Sequence, residues 1–274
     1  MINYEQLLNT IKSIAFEQGK ILAQAFRDPN TIRQEFEKSS KWKDDLDITT
    51  NLDREIERAF YDGLNKKFKY LGFCLEEHAE LNNEEKEFVC YIDPIDGTKH
   101  FAKKIPLFCI SVGITRNKEP VLGLTYNPVS DQLHAAAEGI PTTLNGSRVK
   151  VSGTDKVENA FIALDVATHK ENWEKEKAWM NKKIIEFNLR AKRIRLFSVG
   201  AVVTSWVSHG GLDAFVSIWG HGSKPFDIAA GKALIKYSEG GRIVDCDIAG
   251  LSQPRFVGGN PKLVDEICDI LRAP

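Results

Sequence analysis

Two aspartates, separated by two residues, follow a short apolar run, where residues 90–101 read CYIDPIDGTKHF. The carboxylates of Asp93 and Asp96 are hard oxygen ligands of the kind that divalent cations prefer. The backbone amides of Gly97 and Thr98 can approach a phosphoryl oxygen because no large side chain stands in the way. Asp-Pro and Asp-Gly pairs also form ordinary surface turns. Together the residue types predict a metal and phosphate site.

Three further acidic segments occur elsewhere in the chain. They read DITTNLD at 47–53, CLEEH at 74–78 and KPFDIAAG at 224–231. Each has an ordinary explanation when taken alone. Asp227 follows a proline at the start of an apolar helical pattern and could be an N-cap. Glu77 lies in a charged cluster that is typical of a solvated surface.

In this order and spacing the four segments resemble the inositol monophosphatase family, the magnesium-dependent, lithium-sensitive phosphomonoesterases. The D-P-I-D-G-T element combined with the late aromatic-Asp-x-Ala-Ala-Gly element is highly specific, and the resemblance covers nearly the whole chain. It implies an α/β layered fold, an αβαβα sandwich of the inositol monophosphatase and fructose-1,6-bisphosphatase type, with the active site between two halves. It also implies a homodimer.

The resemblance implies a set of metal ligands for two or three Mg²⁺ ions, made of four carboxylates and one backbone carbonyl: Glu77, Asp93, Ile95, Asp96 and Asp227. Of the two adjacent glutamates, Glu77 is chosen over Glu76 because the resemblance implies that the second one is the ligand. Glu77 is also expected to act in catalysis. Asp47 and Thr98 are expected to polarise a metal-activated water that attacks phosphorus without a phosphoenzyme. Gly97 and Thr98 are expected to begin a short helical turn that binds the phosphate.

The resemblance also indicates residues of a substrate pocket. The expected substrate-binding residues, carried over from segments that lie near the pocket in relatives or from the sequence beside Asp227, are Asp165, Ala201, Gly220, His221 and Lys224. Gly220 stands where inositol-preferring members carry a glutamate that binds substrate hydroxyls. For Asp213, in a Gly-Gly-x-Asp-Ala segment, a structural role is the better hypothesis.

Composition excludes several classes of protein. The chain has 274 residues and 42% hydrophobic residues, enough for a large core in one or two domains. Its 37 basic and 38 acidic residues give no broad positive field, so nucleic-acid binding has no support. Five scattered cysteines without a C-x-x-C pair argue against a disulfide framework or a zinc site, and favour the cytoplasm. No signal sequence or membrane span is expected.

Alternating periodicities predict the elements that must position these residues. Apolar residues at helical spacing over 7–26 predict a long first helix, and Thr50 with Asp53 forms a candidate capping box for a second helix. Strands are predicted at 88–92, 107–115, 121–126, 132–137, 161–164, 192–197, 214–218 and 242–244, and later helices at 172–186, 201–208 and 227–238. An N-terminal half, 1–150, carries most of the expected ligands, and 151–274 carries Asp227 and the pocket.

Three functions are compatible with these residues. The first is hydrolysis of an inositol, sugar or related small-molecule phosphate. The second keeps the reaction but takes histidinol phosphate or a bisphosphorylated nucleotide or sugar as substrate, because D-G-T-K also occurs in those branches. The third is a regulatory family member associated with protein or RNA, with catalysis secondary.

Overall fold

The computed structural model describes residues 2–28, 34–35, 49–166, 173–218, 225–251 and 253–274. Asp47, Gly220, His221 and Lys224 lie outside the described residues. The first part of the chain forms the following elements: α1 (Tyr4–Arg27), β1 (Gln34–Glu35), β2 (Thr49–Thr50), α2 (Asn51–Lys67), β3 (Leu71–Leu75), β4 (Phe88–Asp96), α3 (Thr98–Ala102), β5 (Cys109–Arg116), β6 (Glu119–Asn127), β7 (Gln132–Ala137), β8 (Ile140–Leu144) and β9 (Ser147–Arg148).

Strands β3 to β9 form a seven-stranded sheet in sequential order. The β3–β4 pair is parallel and the other pairs are antiparallel. The register of β4 on β5 shifts between Asp93 and Asp96, where the D-P-I-D segment interrupts the ladder. Proline has no N–H to donate to a ladder, so a bulge at Pro94 is the expected accommodation. The irregularity lies at the two aspartates of the predicted site.

Helices α1 and α2 cover one face of this sheet and pack on each other. Helix α2 begins with the predicted capping box, in which the backbone N–H of Thr50 donates to Asp53 Oδ2 at 2.8 Å. Its buried positions include Ile56, Phe60 and Leu64, which recur at helical spacing and join the core beneath the sheet. The predicted first two helices are therefore both confirmed.

The second part of the chain builds a second sheet and its helices: β10 (Phe161–Asp165), α4 (Trp173–Arg190), β11 (Arg193–Arg195), α5 (Gly200–Ser208), β12 (Ala214–Ser217), α6 (Pro225–Lys236), β13 (Arg242–Cys246), β14 (Arg255–Gly259) and α7 (Pro261–Arg272). The strand order is β11-β10-β12-β14-β13. Strands β11, β10 and β12 run parallel, and β14 is antiparallel to its neighbours. Helices α4 and α7 contact this sheet from outside.

Helices α5 and α6 form the layer between the two sheets. They pack against each other, and both contact strands of both sheets. Gly123 lets α6 lie directly on β6, because a Cβ there would be 2.3 Å from the carbonyl oxygen of Ala230. Gly231 similarly admits Thr204 of α5, whose hydroxyl oxygen would be 1.9 Å from an added Cβ. The layers are therefore helix, sheet, helix, sheet, helix, and the predicted αβαβα class is confirmed.

The predicted strands and helices are present with shifted ends, but the C-terminal pair β14 and α7 was not predicted from the sequence. Strand β14 reads RFVGG and is fully buried. Its two glycines have low strand propensity and its arginine is usually exposed, so the sequence does not indicate a buried strand. For helix α7 the sequence did contain a start signal, an asparagine followed by a proline at 260–261. In the structure the Asn260 side chain is the N-cap and accepts a hydrogen bond from Leu263 N. Within the described residues, no helix is long and apolar enough to span a bilayer.

Candidate active site

Three aspartate carboxylates converge where the end of β4 meets the first turn of α6. Asp93 and Asp96 lie at the end of β4, and Asp227 lies in the first turn of α6. One oxygen from each carboxylate lies within 4.8 Å of the others. Asp93 and Asp96 are only 4% and 5% exposed. Helix α6 begins at Pro225, so Asp227 lies inside its first turn and is not its N-cap.

Backbone amides hold the first two carboxylates in fixed orientations. Ile95 N donates to Asp93 Oδ1 at 3.0 Å. Asp96 Oδ2 accepts from Ala201 N at 2.8 Å and from Val202 N at 3.2 Å, in the first turn of α5. A helix N-terminus carries free amides and a partial positive charge, and both stabilise an anion. Asp96 is thus tied to an element of the second half of the chain.

Burial and mutual repulsion perturb this cluster. Burial, followed by the charges of Glu76, Asp96, Asp227 and Asp53, raises the pKa of Asp93 well above its ordinary value. Burial also raises the pKa of Asp96 to about 7, although its two backbone hydrogen bonds act in the opposite direction. Several buried carboxylates in one place are the donor set that a hard divalent cation requires. The residues therefore fit a metal centre.

The charges favour Glu76 over Glu77 as the fourth carboxylate. Glu76 raises the pKa of both Asp93 and Asp96, whereas Glu77 is not among the main contributors to either shift. The choice of Glu77 from the motif stays a prediction, and Glu77 is itself buried. The two neighbours follow β3 directly, and sequence spacing alone does not say which of two adjacent side chains faces the cluster.

Thr98 contacts Asp53 in the described structure. Its hydroxyl lies 2.9 Å from the Ile95 carbonyl oxygen and 3.3 Å from Asp53 Oδ1. Asp53 is buried, and its other oxygen accepts from Thr50 N. From the sequence, Asp53 was assigned only to the capping box and Thr98 was paired with Asp47, which lies outside the described residues. The DITTNLD segment at 47–53 held the signal, since Asp53 is its second aspartate.

Gly97 connects β4 to α3 in a conformation that other residues avoid. Its φ is +93°, and an added Cβ would lie 2.7 Å from the carbonyl oxygen of Leu107. The short helix predicted after Gly97 is present as α3. The phosphate-binding role of Gly97 and Thr98 stays a prediction, and the geometry explains why residue 97 must be glycine.

The remaining expected pocket residues have different placements. Asp165 ends β10, and its charge makes the largest electrostatic contribution raising the pKa of Asp96, so it lies close to the cluster. Ala201 is fully buried and its N–H is directed to Asp96, which does not support direct substrate contact. Asp213 accepts from Phe161 N at 2.6 Å and from the Ser152 hydroxyl, as expected for a structural residue.

One buried acid in this region was not predicted from the sequence. Glu57 of α2 is fully buried and accepts hydrogen bonds from the backbone N–H groups of Glu76, Glu77 and His78. No motif marked it, because an acid within an amphipathic helix is typical of a solvated position.

The chain matches the model of the inositol monophosphatase family over residues 3–272. It is 29% identical over 278 residues to an inositol monophosphatase of Dictyostelium discoideum, covering 98% of this chain and 96% of that one. It is 27% identical over 277 residues to Nus factor SuhB of Escherichia coli K12, covering 97% and 98%. A solved IMPase from Thermotoga maritima superposes with a TM-score of 0.78 at 27% identity, covering 97% of this chain and 96% of that chain.

Replacing Gly97 with alanine tests the steric constraint at the turn. Gly97→Ala is expected to destabilise the fold by the strain of a positive φ, about 1 to 3 kcal/mol, plus the clash with Leu107. Gly146→Ala is the matched control, because Gly146 has φ +83° and no atom within 4 Å of its added Cβ. Urea unfolding measures both. Equal losses of stability in the two variants would contradict the steric argument.

The raised pKa values predict how the metal-free protein responds to pH. Between the ordinary pKa of an aspartate and the raised pKa of Asp93, the folded state retains a proton that the unfolded state has released. Rising pH therefore costs stability over this interval. In chelator, the melting temperature is expected to fall as the pH rises above the ordinary pKa of an aspartate, about 4, and to fall less steeply in Asp93→Asn. Parallel pH profiles for the two proteins would refute this account.

Proposed function

This chain belongs to the inositol monophosphatase family of phosphoric monoester hydrolases, and we therefore propose that it hydrolyses a small-molecule phosphomonoester with Mg²⁺ as cofactor. The single observation that carries the proposal is the convergence of Asp93, Asp96 and Asp227 where β4 meets α6. Carboxylates held this close, two of them buried, repel one another, so a bound cation is the condition under which all three ionise.

The residues that would hold the metal are Asp93, Asp96, Asp227, Glu76 and the Ile95 carbonyl. Glu76 replaces Glu77 in this set because its charge acts on both aspartates of β4. A bound divalent cation supplies positive charge for the phosphate dianion and lowers the pKa of water. Mg²⁺ suits an all-oxygen donor set of a few carboxylates.

The chain's own residues would orient and deprotonate the attacking water. With its hydroxyl proton directed at Asp53, Thr98 Oγ1 can accept a hydrogen bond from that water. As the water oxygen bonds to phosphorus and the P–O ester bond breaks, the water proton passes to Thr98, whose own proton passes to Asp53. The departing alkoxide takes a proton from solvent. Gly97 leaves room for the phosphate beside Thr98.

A homodimer in the cytoplasm completes the proposal. The dimer rests on the family resemblance alone. The cytoplasmic location is supported by the five cysteines, which are all buried and form no disulfide in the described structure, as suits a reducing compartment.

A second candidate function has one specific observation in its favour. The Escherichia coli relative that covers nearly the whole chain is named a Nus factor and not a phosphatase. The even balance of 37 basic and 38 acidic residues gives no general attraction for nucleic acid. Release of phosphate from small esters by the purified chain separates the two functions, since a regulatory protein without catalysis would release none.

Metal dependence tests the proposed reaction. Phosphate release is expected to stop in chelator, return with Mg²⁺, and fall with added Li⁺, which carries half the charge of the ion it replaces. Asp227→Asn is expected to lower kcat by roughly 10²-fold or more, because it removes a carboxylate from the cluster. Asp245→Asn, which alters only an exposed ion pair with Lys232, is the control. Full activity without metal would refute the proposal.

Substrate choice is expected to be broad. The glutamate that binds polyol hydroxyls in inositol-preferring members is Gly220 here, and a lost hydrogen-bonding partner costs roughly 10²-fold in discrimination. Inositol 1-phosphate is therefore expected to be one of several substrates. We would compare kcat/KM for inositol 1-phosphate, histidinol phosphate, fructose 1,6-bisphosphate and adenosine 3′,5′-bisphosphate. Exclusive turnover of inositol 1-phosphate would show that another residue, such as Asp165, supplies the missing contact.

A further inference from the structure

Glu57 occupies an unusual position for an acid. It lies on the buried face of α2 with no exposed surface, and in the part of the chain that the structure describes its ion-pairing partner is His78. Its carboxylate is also surrounded by backbone donors. Oε1 accepts from Glu76 N at 2.7 Å, and Oε2 accepts from His78 N at 2.8 Å. Glu77 N lies 3.2 Å from Oε1 and 3.1 Å from Oε2.

Three successive amides converging on one carboxylate fix the path of the chain that bears them. The His78 ring adds a fourth contact, with Nδ1 2.9 Å from Oε2. Hydrogen bonds to a charged acceptor are roughly twice as strong as neutral ones. Helix α2 therefore holds the turn that follows β3, and Glu76 lies on the part of the backbone that Glu57 binds.

The same helix also contacts Thr98, the residue proposed to orient the attacking water. Asp53, which contacts the Thr98 hydroxyl, precedes Glu57 by four residues, so both acids lie on one face of α2. One face thus contacts two loops, the turn at Glu76 and the segment after β4. These loops follow two strands, β3 and β4, that pair in parallel.

We propose that Glu57 is a positioning residue of the metal site, which binds the amides of Glu76, Glu77 and His78 and so directs the Glu76 carboxylate toward Asp93 and Asp96. This inference rests on the proposed function, because it requires Glu76 to act on a bound cation. Glu57 itself does not touch substrate or metal.

Glutamine at residue 57 keeps the size of the side chain and removes half of this clamp. Its single carbonyl oxygen can serve either Glu76 N or His78 N, and its NH₂ group then faces an N–H donor on the other side. Glu57→Gln is expected to raise the Mg²⁺ concentration for half-maximal activity by about 10- to 100-fold, the usual cost of losing a partner that orients a metal ligand. The Mg²⁺-dependent rise in melting temperature is expected to need correspondingly more metal.

Asp213→Asn is the matched control. Asp213 also accepts a backbone hydrogen bond, from Phe161 N. It directly precedes β12, whereas Asp165, which is near the cluster, lies at the opposite end of the neighbouring parallel strand β10. Asp213→Asn is expected to lower the melting temperature in chelator and to leave the Mg²⁺ concentration for half-maximal activity unchanged. A merely structural Glu57 would behave in the same way. An unchanged Mg²⁺ requirement in Glu57→Gln would therefore overturn the inference.

A double-mutant cycle tests whether Glu57 acts through Glu76. Once Glu76→Gln has removed the ligand, adding Glu57→Gln is expected to change the Mg²⁺ requirement little, whereas independent effects would multiply and contradict the inference. Should Glu57→Gln fail to fold, Glu57→Asp keeps the charge but withdraws it from the amides, and a smaller increase is expected; no increase overturns the inference. Failure of the wild-type chain to respond to Mg²⁺ would instead refute the proposed function.

Discussion

Repulsion among buried carboxylates governs how this protein is built. At the 4.8 Å that encloses the Asp93, Asp96 and Asp227 oxygens, each ionised pair repels by on the order of 3 kcal/mol at an effective dielectric constant of about 20. Such a cluster persists only if the surrounding fold holds it. The fold does so with backbone amides and helix ends, which stabilise negative charge without filling the space where a cation binds.

Two of the five layers supply the groups of this cluster. The seven-stranded sheet delivers Asp93 and Asp96 at a bulge in β4, and the middle layer delivers Asp227 on α6 and the amides of α5 that bind Asp96. Close approach of α6 to the sheet depends on glycine at residues 113 and 123, where any side chain would collide with the helix. The site therefore forms only when both parts of the chain pack together.

Helix α2 has a role that its place in the outer layer does not suggest. It contributes to the core through Ile56, Phe60 and Leu64, while Asp53 and Glu57 on a neighbouring part of its surface contact the loops of the site. A single rigid helix can thus fix the relative positions of groups that arrive on separate loops. Precision of this kind is what a preorganised metal site requires, since misplacing a ligand weakens its contribution sharply.

Periodicity is a local property of the chain, and it was enough to predict most helices and strands. The family resemblance carried by the sequence motifs implied the fold class and pointed to the aspartates of the D-P-I-D-G-T and late aspartate motifs. Local pattern could not decide between Glu76 and Glu77, since the path of their turn involves backbone contacts with Glu57, about 20 residues earlier in the chain. Nor could local pattern show that Thr98 contacts Asp53, 45 residues away, or that the backbone N–H of Ala201 donates to Asp96. These are long-range contacts, and their partners meet only when the layers pack.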